Sequence, residues 1–264
     1  MSLNLQLFSE ADCQWLHDHP WLAGAEIYRE IDSTNRRALQ CAATIASPHL
    51  VLAETQTAGR GRGVNQWFSG EGGLMFSLRL DTATVGLPRS ELGILSLAAG
   101  LAVREALTEF VPAASLQLKW PNDVYLDGRK VCGILLEVAG GASPVVVVGV
   151  GVNVHNRFTD APPDVQRRAT SLADQMEHPP SLRDVLEPLL ESFERETHHA
   201  ATGTLNLVSR WQPCCFLHNK FVEIRQVAEV ISGRCQGICE SGALLVQTES
   251  GTRKISSGEV ATIR

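Results

Sequence analysis

The run from Val145 to Asn153, Val-Val-Val-Val-Gly-Val-Gly-Val-Asn, constrains this chain more than any other stretch. β-Branched side chains are stiff at χ1 and suit a pleated surface. With no polar residue before the closing amide, the run reads as a strand buried on both faces. Other strands gather around it. Leu50 to Ala53 is a second buried run, and Ala25 to Ile31 alternates in sets of two. Gly73 to Leu80 puts Leu74, Phe76, Leu78 and Leu80 on one face. Leu116 to Trp120 is a short strand that Pro121 ends. Val124 to Leu126 and Arg129 to Val131 form a hairpin across Asp127-Gly128, and Gly133 to Val138 is a further apolar strand.

Helices fall between the strands. Residues 4–19 are expected to hold a short one, carried by Leu5, Phe8, Trp15 and Leu16. Asp32 or Ser33 caps another, with Ala38, Leu39, Ala42 and Ile45 on its stripe. Glu91 to Phe110 has a wide apolar face. Ser181 and Asp184 have capping-box spacing before a helix that Pro188 is expected to kink or split. After Pro213 the texture changes to short strands divided by Ser-Gly turns, the pattern of a small all-β barrel.

Composition removes several classes of function. A net charge of −6 argues against non-specific nucleic-acid binding. No basic segment opens the chain, and no apolar run is long enough for a bilayer. The cysteines are odd in number and lack zinc spacing, so reduced thiols in a cytoplasmic protein are expected. His198 and His199 are adjacent on a helix and face different ways, which argues against a metal pair.

The chemistry-bearing residues cluster on a few segments. After Leu50–Ala53 comes Glu54-Thr-Gln-Thr-Ala-Gly-Arg-Gly-Arg-Gly-Val-Asn-Gln-Trp67. Glycines at 59, 61 and 63 permit close backbone approach, and Arg60 and Arg62 offer forked donors for phosphate or carboxylate. No acidic residue between Glu54 and Glu71 neutralises them. The segment is either a solvated surface loop or an anion-holding loop that is mobile until its ligand arrives. Lys119, at a strand end beside Trp120, is either a snorkelling edge lysine or a cation aimed into a pocket. Ser33, Thr34 and Asn35 either cap a helix or face a polar ligand group.

Ser33-Thr34-Asn35, Gly59-Arg-Gly-Arg62 with Trp67, Lys119-Trp-Pro-Asn-Asp123, Gly133-Ile-Leu-Leu-Glu137 and Gly149-Val-Gly-Val-Asn153 follow one another along the chain. In this order and spacing they resemble the motifs of the biotin–protein ligases (biotin–[acetyl-CoA-carboxylase] ligases), from Ile27 to the C-terminus. The resemblance implies an α+β fold. It has a mixed-sheet catalytic domain of the biotin/lipoate-ligase type over residues 1–213 and an SH3-like β-barrel over 214–264. It implies the monofunctional class, because too few residues precede Ser33 for a winged-helix DNA-binding domain. The implied reaction makes biotinoyl-5′-AMP from biotin and MgATP, then transfers biotin to a lysine of a biotin carboxyl carrier protein or domain. The substrates and cofactors are therefore biotin, ATP and Mg2+. No DNA or membrane partner is expected, and a homodimer is left open.

The resemblance also carries site roles. Ser33, Thr34, Asn35, Gln56, Gly59, Gly61 and the backbone of Arg62 go to the biotin head. Gly133 to Leu135 goes to the valeryl tail, and Arg60 and Arg62 to the carboxylate and phosphates. Lys119 and Arg60 are the catalytic pair, Trp67, Asn122 and Asn153 take the adenylate, and Asp123 lies by the metal. The family's pattern often has an arginine two residues before the loop tryptophan. Asn65 stands there, after Val64, so this loop is expected to close less tightly. The alternatives are a lipoate or octanoate ligase, whose Arg-Arg-x-Ser-Gly-Gly-Gly stretch is absent, or a non-catalytic biotin-binding module.

Overall fold

The computed structural model describes residues 7–41, 45–139 and 144–264. Residues 4–6 of the expected first helix, and Ala42 of the second, lie outside these. The described part of the first helix is α1, Glu10–His17, closed by a Ser9–Asp12 capping box.

Strands β1 (Gly24–Ile31), β2 (His49–Gln56), β3 (Gly73–Asp81), β4 (Leu116–Lys119), β5 (Asp123–Leu126), β6 (Arg129–Ala139) and β7 (Val145–Asn153) form one sheet. Its order is β1-β2-β3-β7-β6-β5-β4. The β1–β2 pair is parallel and the remaining pairs are antiparallel, so the sheet is mixed. The valine run lies at its centre, between β3 and β6. Asp127 and Gly128, both at positive φ, close the β5–β6 hairpin. Arg129 to Val131 and Gly133 to Val138 prove to be one continuous strand, because the pairing with β7 runs on from Cys132 to Ala139.

The two faces of β7 carry different loads. Val146, Val148, Val150 and Val152 enter the main core with Leu74, Phe76 and Leu78 of β3. That face is covered by α3 (Leu95–Leu107) and α5 (Leu182–Thr202), with the short α4 (Pro163–Arg168) between β7 and α5 in the chain. Opposite, Val147 packs with Val51 and with Ala38 of α2 (Thr34–Gln40). Beyond Val147, this second face continues through Gly149 and Gly151, where β7 has no side chain to offer. Bare backbone there makes the floor of a cleft just past the start of α2.

Two helix expectations need correction. α3 is shorter than Glu91 to Phe110, since a 3-10 turn over Arg89–Glu91 precedes it. α5 is not split at Pro188, which lies in its second turn and is buried. Its capping box and the buried Val185, Leu186, Leu189, Leu190 and Phe193 outweigh the lost amide donor.

Helix α6 (Leu207–Trp211) leads to β8 (Phe221–Arg225), β9 (Val230–Ile238), β10 (Leu244–Thr248), β11 (Gly251–Ile255) and β12 (Glu259–Ile263). They form an antiparallel sheet of order β11-β10-β9-β8-β12. Its core is continuous with the main one through Trp211, Leu217 and Val222. Trp120 Nε1 donates to Gly242 O at 3.1 Å across the join. All seven cysteines are free thiols.

Candidate active site

A cleft of about 1070 Å3 opens over the bare stretch of β7. Ser33, Thr34, Asn35, Gln56, Arg60, Gly61, Arg62, Trp67, Lys119, Asn122, Asp123, Gly133 and Leu135 all line it. Of the residues singled out from sequence, Gly59 and Asn153 stand off this lining. Gly59 lies at the loop base, where an added Cβ would fall 2.8 Å from the carbonyl of Trp67. Asn153 borders a side cavity of about 160 Å3 that shares Trp67, Lys130 and Arg168 with the main cleft.

At the inner end is a closed polar network. Gln56 Oε1 accepts from Thr34 N at 2.8 Å and from Thr34 Oγ1 at 3.2 Å. Ser77 Oγ, fully buried on β3, lies 2.6 Å from Asn35 Oδ1 and 2.8 Å from Thr34 Oγ1. Asn35 Nδ2 donates to Leu135 O at 3.2 Å and to Glu137 Oε2 at 3.0 Å. Register explains the meeting: Ser77, Gly149 and Leu135 lie in one cross-strand row, and Asn35 projects onto it from α2. Ser33 does both things its type allows. It lines the cleft and caps α2 through Arg36 N at 3.5 Å.

The glycine-arginine segment is a tight hairpin rather than an open loop. Trp67 N donates to Gly59 O at 3.0 Å, Gly61 N to Asn65 O at 2.9 Å, and Asn65 N to Arg62 O at 3.1 Å. Arg60 is neutralised from afar, by Glu137 at 2.8 Å. Arg62 reaches Gly258 O in the C-terminal sheet at 3.4 Å. Val64 is fully exposed at the tip, and Asn65 closes the turn through its backbone. Trp67 folds inward onto Gly133 and Gly151, where added Cβ atoms would fall 2.8 and 2.5 Å from its ring. Gly133 lies against the indole and lines the cleft beside it.

The outer wall is cationic. Lys119 Nζ donates to Tyr125 OH at 3.1 Å. Burial pushes the Lys119 ammonium below the usual lysine range, and burial lifts the Tyr125 phenol to about 12. Lys130 pairs with Asp123 at 2.6 Å and lies 5.6 Å from the centre of the Trp67 ring. Burial opposes its charge, yet attraction to Asp123 outweighs that and raises its pKa. Asn122 Nδ2 donates to Ile134 O at 2.6 Å and braces the turn. Asn153 Nδ2 donates to Thr170 O at 2.9 Å and to Lys130 O at 3.3 Å, tying β6 to the segment that carries Arg168.

Sequence patterning alone does not mark Lys130, Ser77, Glu137 or Arg168 as site residues. Lys130 read as part of an ordinary hairpin, and Ser77 as one residue of an apolar strand. The i, i+2 spacing of Val147, Gly149 and Gly151 was the available signal that one face of β7 lacks side chains.

The cleft has no built cage for Mg2+. Its lining carboxylates are Asp123 and Glu259, and Asp123 already holds Lys130. The one group of three candidate ligands among the described residues, Glu26, Cys41 and His49, involves the far ends of β1 and β2. Mg2+ prefers phosphate oxygens with few protein ligands, so it would enter on a nucleotide.

Residues 27–153 match the Biotin/lipoate A/B protein ligase family, and residues 217–261 match the Biotin protein ligase C terminal domain. The chain is 33% identical to the biotin–[acetyl-CoA-carboxylase] ligase of Mycobacterium tuberculosis over 90% of its own length and 89% of that protein's. It is 33% identical to the Paracoccus denitrificans protein of the same description, over 87% and 96%. It is 32% identical to the bifunctional ligase/repressor of Escherichia coli, over 88% and 71%. Its fold is similar to biotin protein ligase from Aquifex aeolicus in complex with biotin and ATP. There the TM-score is 0.77 at 30% identity, with 91% of this chain and 98% of that one covered. The chain belongs to the biotin protein ligase family.

Proposed function

We propose that this cleft activates the carboxylate of biotin with ATP and delivers the biotinoyl group to a lysine ε-amine of a carboxylase carrier domain. The chain is an ATP-dependent biotin–protein ligase, forming a C–N bond. The observation that best supports these site roles is the joining of two environments in one cleft: a neutral polar pocket and a cationic wall. Thr34, Asn35 and Gln56, braced by the buried Ser77, supply fixed donors and acceptors for a ureido head. Arg62 and Lys119 supply positive charge, and Arg60 and Lys130, paired with Glu137 and Asp123, supply further donors, where a carboxylate attacks the α-phosphorus and pyrophosphate leaves. The same charges stabilise AMP as it departs when the amine attacks the acyl carbon. Such chemistry needs positioning and charge stabilisation rather than a protein nucleophile. Mg2+, when it arrives with ATP, neutralises phosphate charge.

Trp67 and Arg168 border both cavities and suit an adenylate lying between them. The net charge of −6 supports a protein carrier rather than DNA as macromolecular partner. Free thiols throughout support a reducing, cytoplasmic setting. Among the described residues no helix is long and apolar enough to cross a membrane.

The test is exchange of labelled pyrophosphate into ATP. Biotin is expected to drive it, and lipoate and octanoate are not. Exchange driven by lipoate but not by biotin would overturn the reading.

A further inference from the structure

One carboxylate oxygen joins the polar pocket to the arginine hairpin. Glu137 Oε2 accepts Asn35 Nδ2 at 3.0 Å and Arg60 Nη1 at 2.8 Å. Neither partner is loosely held. Asn35 also binds Leu135 O and Ser77 Oγ and rests on the backbone of Gly149, so it cannot turn without breaking several bonds. Arg60 belongs to a hairpin closed by its own backbone bonds. The bond to Glu137 uses one N–H of a guanidinium that has five. A planar fork held at one corner presents its remaining donors in a fixed direction, and Arg60 lines the cleft.

We propose that Glu137 is a positioning residue: bridged between Asn35 of the biotin pocket and the hairpin, it presets Arg60 so that the free donors of its guanidinium face the cleft. The inference rests on the ligase reading and deepens it. Asn35, anchored by Ser77 and Leu135, fixes Oε2 from the pocket side. Oε2 in turn holds Arg60 where the carboxylate, and later the phosphate, of the same ligand arrives. The charge of Glu137 is essential, because an N+–H···O− bond is shorter and stronger than its neutral counterpart. Without it, each turnover bears the entropy of ordering Arg60.

The test is a double-mutant cycle on the full chain with Glu137→Gln, Arg60→Ala and the pair. It reads dissociation of biotinoyl-AMP and hydrogen exchange over residues 59–66. Glu137→Gln is expected to speed dissociation about tenfold and to lower protection of 59–66. The pair is expected to be no worse than Arg60→Ala alone, a coupling of about fivefold or more, within the span seen for residues in contact. Additive effects, unchanged dissociation or slower dissociation from Glu137→Gln overturn the proposal. Glu137→Asp keeps the charge but shortens the reach, and it must also lose the coupling; it carries the cycle if the glutamine variant misfolds. Failure of the ligase reading is separable, since the unsubstituted chain would then show no biotin-dependent exchange.

Discussion

Replacing Lys119 with alanine is expected to slow single-turnover formation of biotinoyl-AMP about a hundredfold and to leave biotin affinity within about threefold, the pattern of a group acting in the transition state. Lys119 ends β4, and its hydrogen-bond partner is a neutral phenol, Tyr125, rather than a carboxylate. Its charge is therefore partly desolvated and not cancelled by an ion pair. Removal of one preorganised donor of this kind costs about 3 kcal/mol. Burial lowers the Lys119 pKa, so the rate should be lost on the alkaline side as pH rises through that value, below the ordinary lysine range. Quenched-flow measurement gives both quantities. A variant rate within about tenfold of the parent, about 1.4 kcal/mol, would mean that Lys119 serves only to pack against Tyr125.

The second large effect concerns a missing side chain. An added Cβ at Gly149 falls 1.8 Å from Asn35 Oδ1 and 2.6 Å from its Cγ. In Gly149→Ala the amide must leave its place, and its bonds to Ser77, Leu135 and Glu137 go with it. Overpacking costs about 1–3 kcal/mol, and each buried polar group left unpaired about 1–3 kcal/mol. Biotin affinity is expected to fall about a hundredfold or more, with a lower Tm. Gly93→Ala is the control, because a Cβ there meets nothing within 4 Å. Calorimetric titration of both variants decides it. Near-parental biotin affinity in Gly149→Ala would show that Asn35 does not form the head pocket.

How much of this was legible in the sequence follows from what each signal reports. Periodicity reports burial on one element, so the strand set of the main sheet and the stripes of α3 and α5 were readable. Propensity reports local preference alone. Pro188 signals a kink or a split, and the packing that keeps α5 one helix comes from α3 and β3, outside the segment. Motif order located the cleft residues: Ser33 to Asn35 open α2, Gln56 and Lys119 end strands, and the arginine hairpin links β2 to β3. Register was not legible. Ser77 reads as an ordinary strand residue until β3, β7 and β6 align it with Gly149 and Leu135. Glu137 lies far in sequence from Arg60 and Asn35, and only the fold of β6 beside β7 brings them together. Lys130 and Asp123 meet because they lie near each other on neighbouring strands, β6 and β5. The neutralising partners of the arginine segment were likewise absent from the segment itself.

The central claim is that one cleft both activates biotin and hands it to a lysine. The most direct measurement is intact-mass spectrometry of a carboxylase carrier domain incubated with this chain, biotin and MgATP. The account predicts a gain of one biotinoyl group, lost when the acceptor lysine is changed to arginine and absent when lipoate replaces biotin. A carrier that stays unmodified while the chain exchanges pyrophosphate normally would contradict it.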